Sequence, residues 1–153
     1  MSKVKKSVGC QTILLDHPVN NYSRNKLIND FERTINKIQP DRVYIPNPSY
    51  NQDHKEVYDA ALIALRPHDI NFFVKKILTY EQPQDFWLSG RPQFNPNYFI
   101  PIDIAKKISL YEKMNSQLRG HRSVKHVKTI AELRGMQSNN KYAEAFEILR
   151  WLE

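Results

Sequence analysis

A single cysteine, Cys10, stands in a chain of 153 residues, and its isolation excludes an internal disulfide and a cysteine-rich zinc site. Any metal would therefore rest on histidine and carboxylate. No stretch approaches the roughly 20 consecutive apolar residues of a membrane span. The opening Met-Ser-Lys-Val-Lys-Lys lacks the apolar core of a secretory signal. These two absences predict a cytoplasmic protein. Internal repeats and low-complexity segments are lacking as well. What is present suffices for a core: 41% of residues are hydrophobic and 11% aromatic, which speaks against disorder, and the length suits one globular domain over 1–153.

The net charge is +7, a balance that can serve a polyanionic partner. The basic residues are scattered, however, apart from Lys3 to Lys6 and the stretch Arg119 to Lys128, and acidic residues accompany most of the helical patterns. That distribution predicts a solvated basic surface and disfavours nucleic acid as a partner. An anionic sugar nucleotide or a lipid headgroup would need no more charge than this.

Along the chain, Val8 to Leu15 reads as a short strand. From Ser23, an N-cap candidate, Leu27, Ile28, Phe31, Ile35 and Ile38 recur at helical spacing until Pro40. Arg42 to Ile45 is β-rich and is broken by Pro46 and Pro48. Asp53 and Glu56 then have capping-box spacing ahead of a face marked by Val57, Ala61, Ala64 and Leu65. Val74 to Tyr80 and Tyr98 to Ile102 read as further strands, separated by a Pro- and aromatic-rich loop from Gln82 to Pro96. Asp103 can cap a helix bearing Ile104, Ile108 and Tyr111; Ser123 can cap another, which Gly135 would end in the left-handed conformation. Tyr142 to Glu147 reads as a closing structural element. The alternation predicts an α/β layered fold with a mainly parallel sheet flanked by helices.

The segment Tyr50-Asn51-Gln52-Asp53-His54 lies at a strand-to-helix crossover, where open α/β sheets hold their ligands. It offers one good metal ligand, His54. A hydrolytic zinc centre normally takes three protein ligands, so this is part of a site; taken alone, the segment reads first as a structural cap beside a surface histidine. Asp53 would orient a neighbouring imidazole or a ligand. His68, His121 and His126 lack ligand spacing with carboxylates. Trp87 and Phe94 suit the rim of a sugar site or the anchor of a long loop, and Glu81, at a strand's carboxyl end, would reach the same crevice or remain solvated.

Residues 38 to 62, Ile-Gln-Pro-Asp-Arg-Val-Tyr-Ile-Pro and then Asn-Gln-Asp-His-Lys-Glu-Val-Tyr-Asp-Ala-Ala-Leu, resemble the second signature of the PIG-L/LmbE-type deacetylases. Members of that family remove acetyl from N-acetylglucosaminyl substrates. Leu14-Leu15-Asp16, Pro18, Arg66-Pro67, Tyr80-Glu81, Phe94-Asn95-Pro96-Asn97, Lys107, Tyr111, Ser116-Gln117, Arg134-Gly135 and Tyr142 to Glu147 follow in the family's order, so the resemblance covers about residues 8 to 150. It implies a partial Rossmann-like (LmbE-like) fold and a zinc-dependent amide hydrolase.

In that family zinc is held by the His and second Asp of an N-terminal His-Pro-Asp-Asp motif and by the last His of the Asp-His signature. Only His54 carries over as a ligand. His17-Pro18 is followed by Val19, Asn20 and Asn21, which supply no carboxylate. The position of a second family histidine is Asn51, whose amide can donate a hydrogen bond but cannot act as an acid. The resemblance thus implies Asp53 and Asn51 in the catalytic region, Tyr50, Glu81 and Trp87 as substrate contacts, and an N-acetylglucosaminyl glycoconjugate or sugar-nucleotide-like substrate. It also implies a chain that lacks the family's first strand, is weakly active or inactive alone, and leaves a sheet edge to be covered by a complementing chain or a homo-oligomer. The alternative is a non-catalytic sugar-binding or assembly protein that keeps the fold.

Overall fold

The computed structural model describes residues 2–83 and 94–153, without the side chains of 2–4 and 121. The elements are α1 (Ser2–Val8), α2 (Arg24–Ile38), β1 (Arg42–Pro46), α3 (Gln52–Ala64), β2 (Lys76–Tyr80), β3 (Tyr98–Pro101), α4 (Ile104–Tyr111), α5 (Val124–Gln137) and β4 (Ala143–Trp151). The strands hydrogen-bond in the order β1-β2-β4-β3. β1 and β2 are parallel, while β4 runs antiparallel to β2, so the sheet is mixed. No helix among the described residues is long and apolar enough to cross a membrane.

The chain divides into two compact units, and β4 contributes its first residues to one and the remainder to the other. The unit containing residues 15–82 and 146–153 is built on α2, β1, α3 and β2. Its core joins Ile35, Ile45, Ala61, Ala64, Leu65, Val74 and Ile77, with Phe31, Val43 and Tyr58 packed against them. The small residues of α3 decide how closely that helix can approach: Ala60, Ala61 and Ala64 are all buried. α2 buries Leu27 and Ile35, as the helical spacing requires, and ends at Gln39 in the left-handed conformation just before Pro40.

Outside that core, Arg24 of α2 grips Glu56 of α3 through two hydrogen bonds of 2.9 Å and reaches Asp59 at 3.1 Å. The hydrogen bond from Arg24 holds the Glu56 carboxyl below its ordinary value, with the guanidinium charge adding to the effect. A carboxylate depressed on folding stabilises above its unfolded pKa and ceases to do so as pH falls through its folded one. Glu56→Gln should therefore lower Tm slightly at neutral pH, as befits a half-exposed pair. Thermal melts of the variant and the parent should converge in acid below the ordinary carboxylate range.

In the other unit, Asp103 caps α4 by accepting from Ala105 and Lys106 N–H, and Ser123 caps α5 by accepting from His126 N–H. Tyr111 Oη donates to the Arg122 carbonyl at 2.8 Å, and Lys107 pairs with Glu144 at 2.9 Å.

Three expectations are corrected, at Val8 to Leu15, at the start of α3 and at Gly135. Val8 to Leu15 forms no strand: α1 ends at Val8, residues 10–18 are irregular, and Ile13 and Leu14 are exposed. β-propensity there meets no partner strand, and without cross-strand packing it has little force. Ser23 occupies the N-cap of α2 but its side chain makes no capping bond. α3 is capped by Asn51, which places Asp53 and His54 as its second and third residues and leaves Glu56 to Arg24. Gly135 lies inside α5 with no left-handed turn; that conformation falls at Asn139. Of the Tyr142 to Glu147 element, Ala143 to Glu147 form the first part of the sheet strand β4, and Tyr142 precedes it.

Candidate active site

β1 and β2 run parallel, so their carboxyl ends open on the same side, and the two segments that carry the candidate residues leave from there. From β1 the chain passes through buried Asn47, then Pro48 and Ser49, to the mostly exposed Tyr50. Asn51 fixes the entry to α3: its Oδ1 accepts from Asp53 N–H at 2.9 Å and His54 N–H at 3.4 Å, satisfying two donors that a helix start otherwise leaves unpaired. Because the cap uses the oxygen, the amide's N–H groups are the end that can serve a ligand.

His54 is held through Nδ1, which lies 3.0 Å from Ser49 Oγ and 3.0 Å from the Gln82 side-chain amide. Ser49 Oγ also accepts from Asn51 N–H at 3.2 Å. If Nδ1–H donates to the hydroxyl, the lone pair lies on Nε2, the tautomer that a metal or a proton would require. If Nδ1 accepts from the amide, Nε2 bears the proton and donates. The two neighbours therefore set the ring's orientation and its protonation site together. Both escaped the sequence reading. Ser49 stood in a Pro-rich turn with no motif of its own, and Gln82 is 28 residues from His54 in sequence.

Asp53 Oδ2 accepts from Asn20 N–H at 3.1 Å, while Gln52 Nε2 donates to the Asn20 carbonyl at 2.8 Å, so the start of α3 pins the turn at Asn20. Near that turn, His17 is almost wholly buried, with Nε2 2.9 Å from Asp30 Oδ2. Glu81 and Gln82 follow β2 directly, on the side where His54 lies. Burial pushes the neighbouring Tyr80 phenol up, which keeps it neutral. Trp87 lies outside the described residues.

Among the described residues, no three His, Cys, Asp or Glu side chains group to hold a metal ion. The residues around His54 are a hydroxyl and an amide, which orient an imidazole but do not complete a zinc shell. The described donors thus do not fit a zinc centre by themselves.

Three polar atoms in the same unit lack a hydrogen-bond partner while buried: His17 Nδ1, Asn47 Nδ2 and Thr79 Oγ1. Asn47 directly follows β1, and Thr79 is the penultimate residue of β2. A buried hydroxyl without a partner costs roughly 1–3 kcal/mol. Thr79→Val keeps the shape and removes that cost, so the variant should be more stable by about 1 kcal/mol, visible as a Tm rise of a few degrees.

No protein-family model matches the sequence, and no curated protein matches it significantly. Solved structures do. The conserved protein TT1542 from Thermus thermophilus superposes with a TM-score of 0.72 at 17% identity, over 99% of this chain and 72% of its own. GalB, the 4-carboxy-2-hydroxymuconate hydratase of Pseudomonas putida KT2440, gives 0.72 at 19% identity, over 99% and 70%. The N,N'-diacetylchitobiose deacetylase of Pyrococcus horikoshii gives 0.64 at 19%, over 97% and 61%. A hydratase and a deacetylase on one architecture show that the fold does not by itself choose the chemistry. What the likeness establishes is the architecture: this chain has the LmbE-like α/β fold, as the PIG-L/LmbE-type deacetylases do.

Proposed function

We propose that the chain is part of a PIG-L/LmbE-type amide hydrolase that removes acetyl from an N-acetylglucosaminyl substrate, with little or no activity by itself. The observation that carries the reading is His54, held by Ser49 and Gln82 where the carboxyl ends of β1 and β2 open. The order of motifs along residues 8 to 150 and the structural likeness to a diacetylchitobiose deacetylase support it. In this reading His54 is the chain's own contribution to a zinc site whose other ligands lie outside the described residues. Zinc would polarise the acetamide. The Asn51 amide N–H groups, the Tyr50 phenol and the Glu81 carboxylate contact the sugar or the acetyl group, Trp87 adds a sugar-packing face, and Asp53 keeps the helix start in place. A cytoplasmic location suits such an enzyme.

The test is acetate release from N,N'-diacetylchitobiose in the presence of zinc, together with zinc retention after dialysis. The chain alone should turn over weakly or not at all, and His54→Ala should abolish any zinc it retains. Undiminished zinc and turnover in that variant would exclude the assignment. Sugar binding that a chelator leaves unchanged, with no turnover, would instead support the non-catalytic sugar-binding reading.

A further inference from the structure

Arg42, Lys76 and Trp151 stand in one row across β1, β2 and β4: Arg42 opposes Lys76 on the parallel pair, and Lys76 opposes Trp151 on the antiparallel one. Residues in register point to the same face of a sheet. That face is turned away from α2 and α3, because the core shared with those helices takes the alternate residues Val43, Ile45 and Ile77. The row lies at the amino ends of β1 and β2, roughly 13 Å of strand from Pro46, beyond which Ser49 and His54 sit. It is a different place from the candidate active site.

Two like charges directly opposite each other on neighbouring strands are destabilising. Here they converge on one ring: Lys76 Nζ lies 4.7 Å and Arg42 Cζ 5.3 Å from the Trp151 ring centroid. The indole attracts both cations through its π face, but a neutral ring cancels no charge. Arg42 Nη1 also donates to Tyr44 Oη at 3.1 Å, which leaves the phenol O–H to donate in turn. Arg42 and Tyr44 are exposed, and Lys76 and Trp151 are half-buried. The carboxylates of Asp30, Glu56 and Asp59 are engaged elsewhere, with His17, Arg33 and Arg24. Guanidinium, ammonium and phenol thus present donors and two positive charges to an acceptor of opposite sign.

We propose that this row is a phosphate-binding site, which takes a dianionic phosphate monoester between Arg42 and Lys76 with Tyr44 Oη as a third donor. Such a group carries about −1.5 to −2 charge at neutral pH and three acceptor oxygens, matching the row in charge and in number of donors. A carboxylate would leave one cation unmatched. A nucleic-acid strand engages a basic groove through successive phosphates, and one row supplies a place for a single one. The inference goes beyond the hydrolase reading and depends on neither turnover nor zinc.

The test is a titration of the full chain with inorganic phosphate at constant ionic strength, following the Arg42 Nε–H, the Trp151 indole N–H and the backbone amides by NMR. Saturable shifts centred on Arg42, Tyr44, Lys76 and Trp151 are expected, with a Kd on the order of 1 mM, as two charge-assisted hydrogen bonds supply. Arg42→Gln and Lys76→Gln should each weaken binding about tenfold, the scale of one such bond. Lys128→Gln, with the same change of net charge on α5, should leave it unaltered. Lys76→Arg keeps the charge and should keep binding, which tells a lost ligand contact from a disturbed strand. Phosphatidylcholine vesicles containing phosphatidic acid distinguish the source of the phosphate. Co-sedimentation that Arg42→Gln and Lys76→Gln both lose assigns it to a lipid headgroup, and shifts without co-sedimentation assign it to a soluble ester. No shift at the four residues at about 10 mM phosphate, or an equal loss in Lys128→Gln, would overturn the proposal.

Discussion

Gly135→Ala should destabilise the protein by about 3 kcal/mol, although helix propensity alone would favour alanine by about 1 kcal/mol. Gly135 sits in the last turn of α5, where the chain doubles back on the helix. Its carbonyl accepts from Ser138 N–H at 3.0 Å, Asn140 N–H at 2.8 Å and Ser138 Oγ at 3.2 Å. A Cβ added there would stand 2.6 Å from the Asn140 carbonyl oxygen and 2.7 Å from both the carbonyl carbon and oxygen of Lys141. These are backbone atoms and cannot swing aside as a side chain would, so the helix end or the turn into β4 must shift. Denaturant unfolding decides the sign: a loss confirms the close approach, and a gain near 1 kcal/mol would mean that propensity governs.

Leu78→Ala should cost about 3 kcal/mol, and about 10 °C in Tm. Leu78 is fully buried in β2, in register with Tyr44 on one side and Ile148 on the other. Truncation forfeits the transfer energy of three carbons and leaves a cavity that paired strands on both sides cannot collapse. The next residue, Thr79, is expected to move the other way when changed to Val. The two substitutions, side by side on one strand, separate lost packing from a relieved unpaired hydroxyl. A cost below about 1 kcal/mol for Leu78→Ala would place the core elsewhere.

Local patterns carried much of the fold. The spacing of Leu27, Phe31 and Ile35, the run Arg42 to Ile45 and the caps at Asp103 and Ser123 are nearest-neighbour effects, and each is found where the sequence places it. What escaped depended on partners distant in the chain. Val8 to Leu15 has strand-like residues and no strand to meet. Gly135 is a glycine because a turn five residues on touches it, which no helix-end rule conveys. The antiparallel course of β4 against β2 is set by pairing between residues about 70 apart.

The candidate site divides in the same way. His54 could be singled out because its signature is contiguous with the helix start. Its neighbours Ser49 and Gln82 could not, since only the parallel pairing of β1 and β2 brings the start of the Gln82 loop to the Ser49 turn. The spacing of Asp53 to Glu56 fits a capping box and points to Asp53 as the cap. Asn51 took the role, and Arg24, reaching across from α2, claimed Glu56.

In the proposed function the carboxyl ends of β1 and β2, with His54 between Ser49 and Gln82, receive an N-acetylglucosaminyl ligand. The most direct measurement is an NMR titration of the chain with N,N'-diacetylchitobiose and zinc, following the backbone amides and the His54 ring nitrogens. Shifts concentrated at Ser49 to His54 and at Glu81 and Gln82, with His54→Ala removing them, are the expected result. A titration that leaves those signals in place at millimolar sugar, or moves only residues remote from both strand ends, would contradict the account.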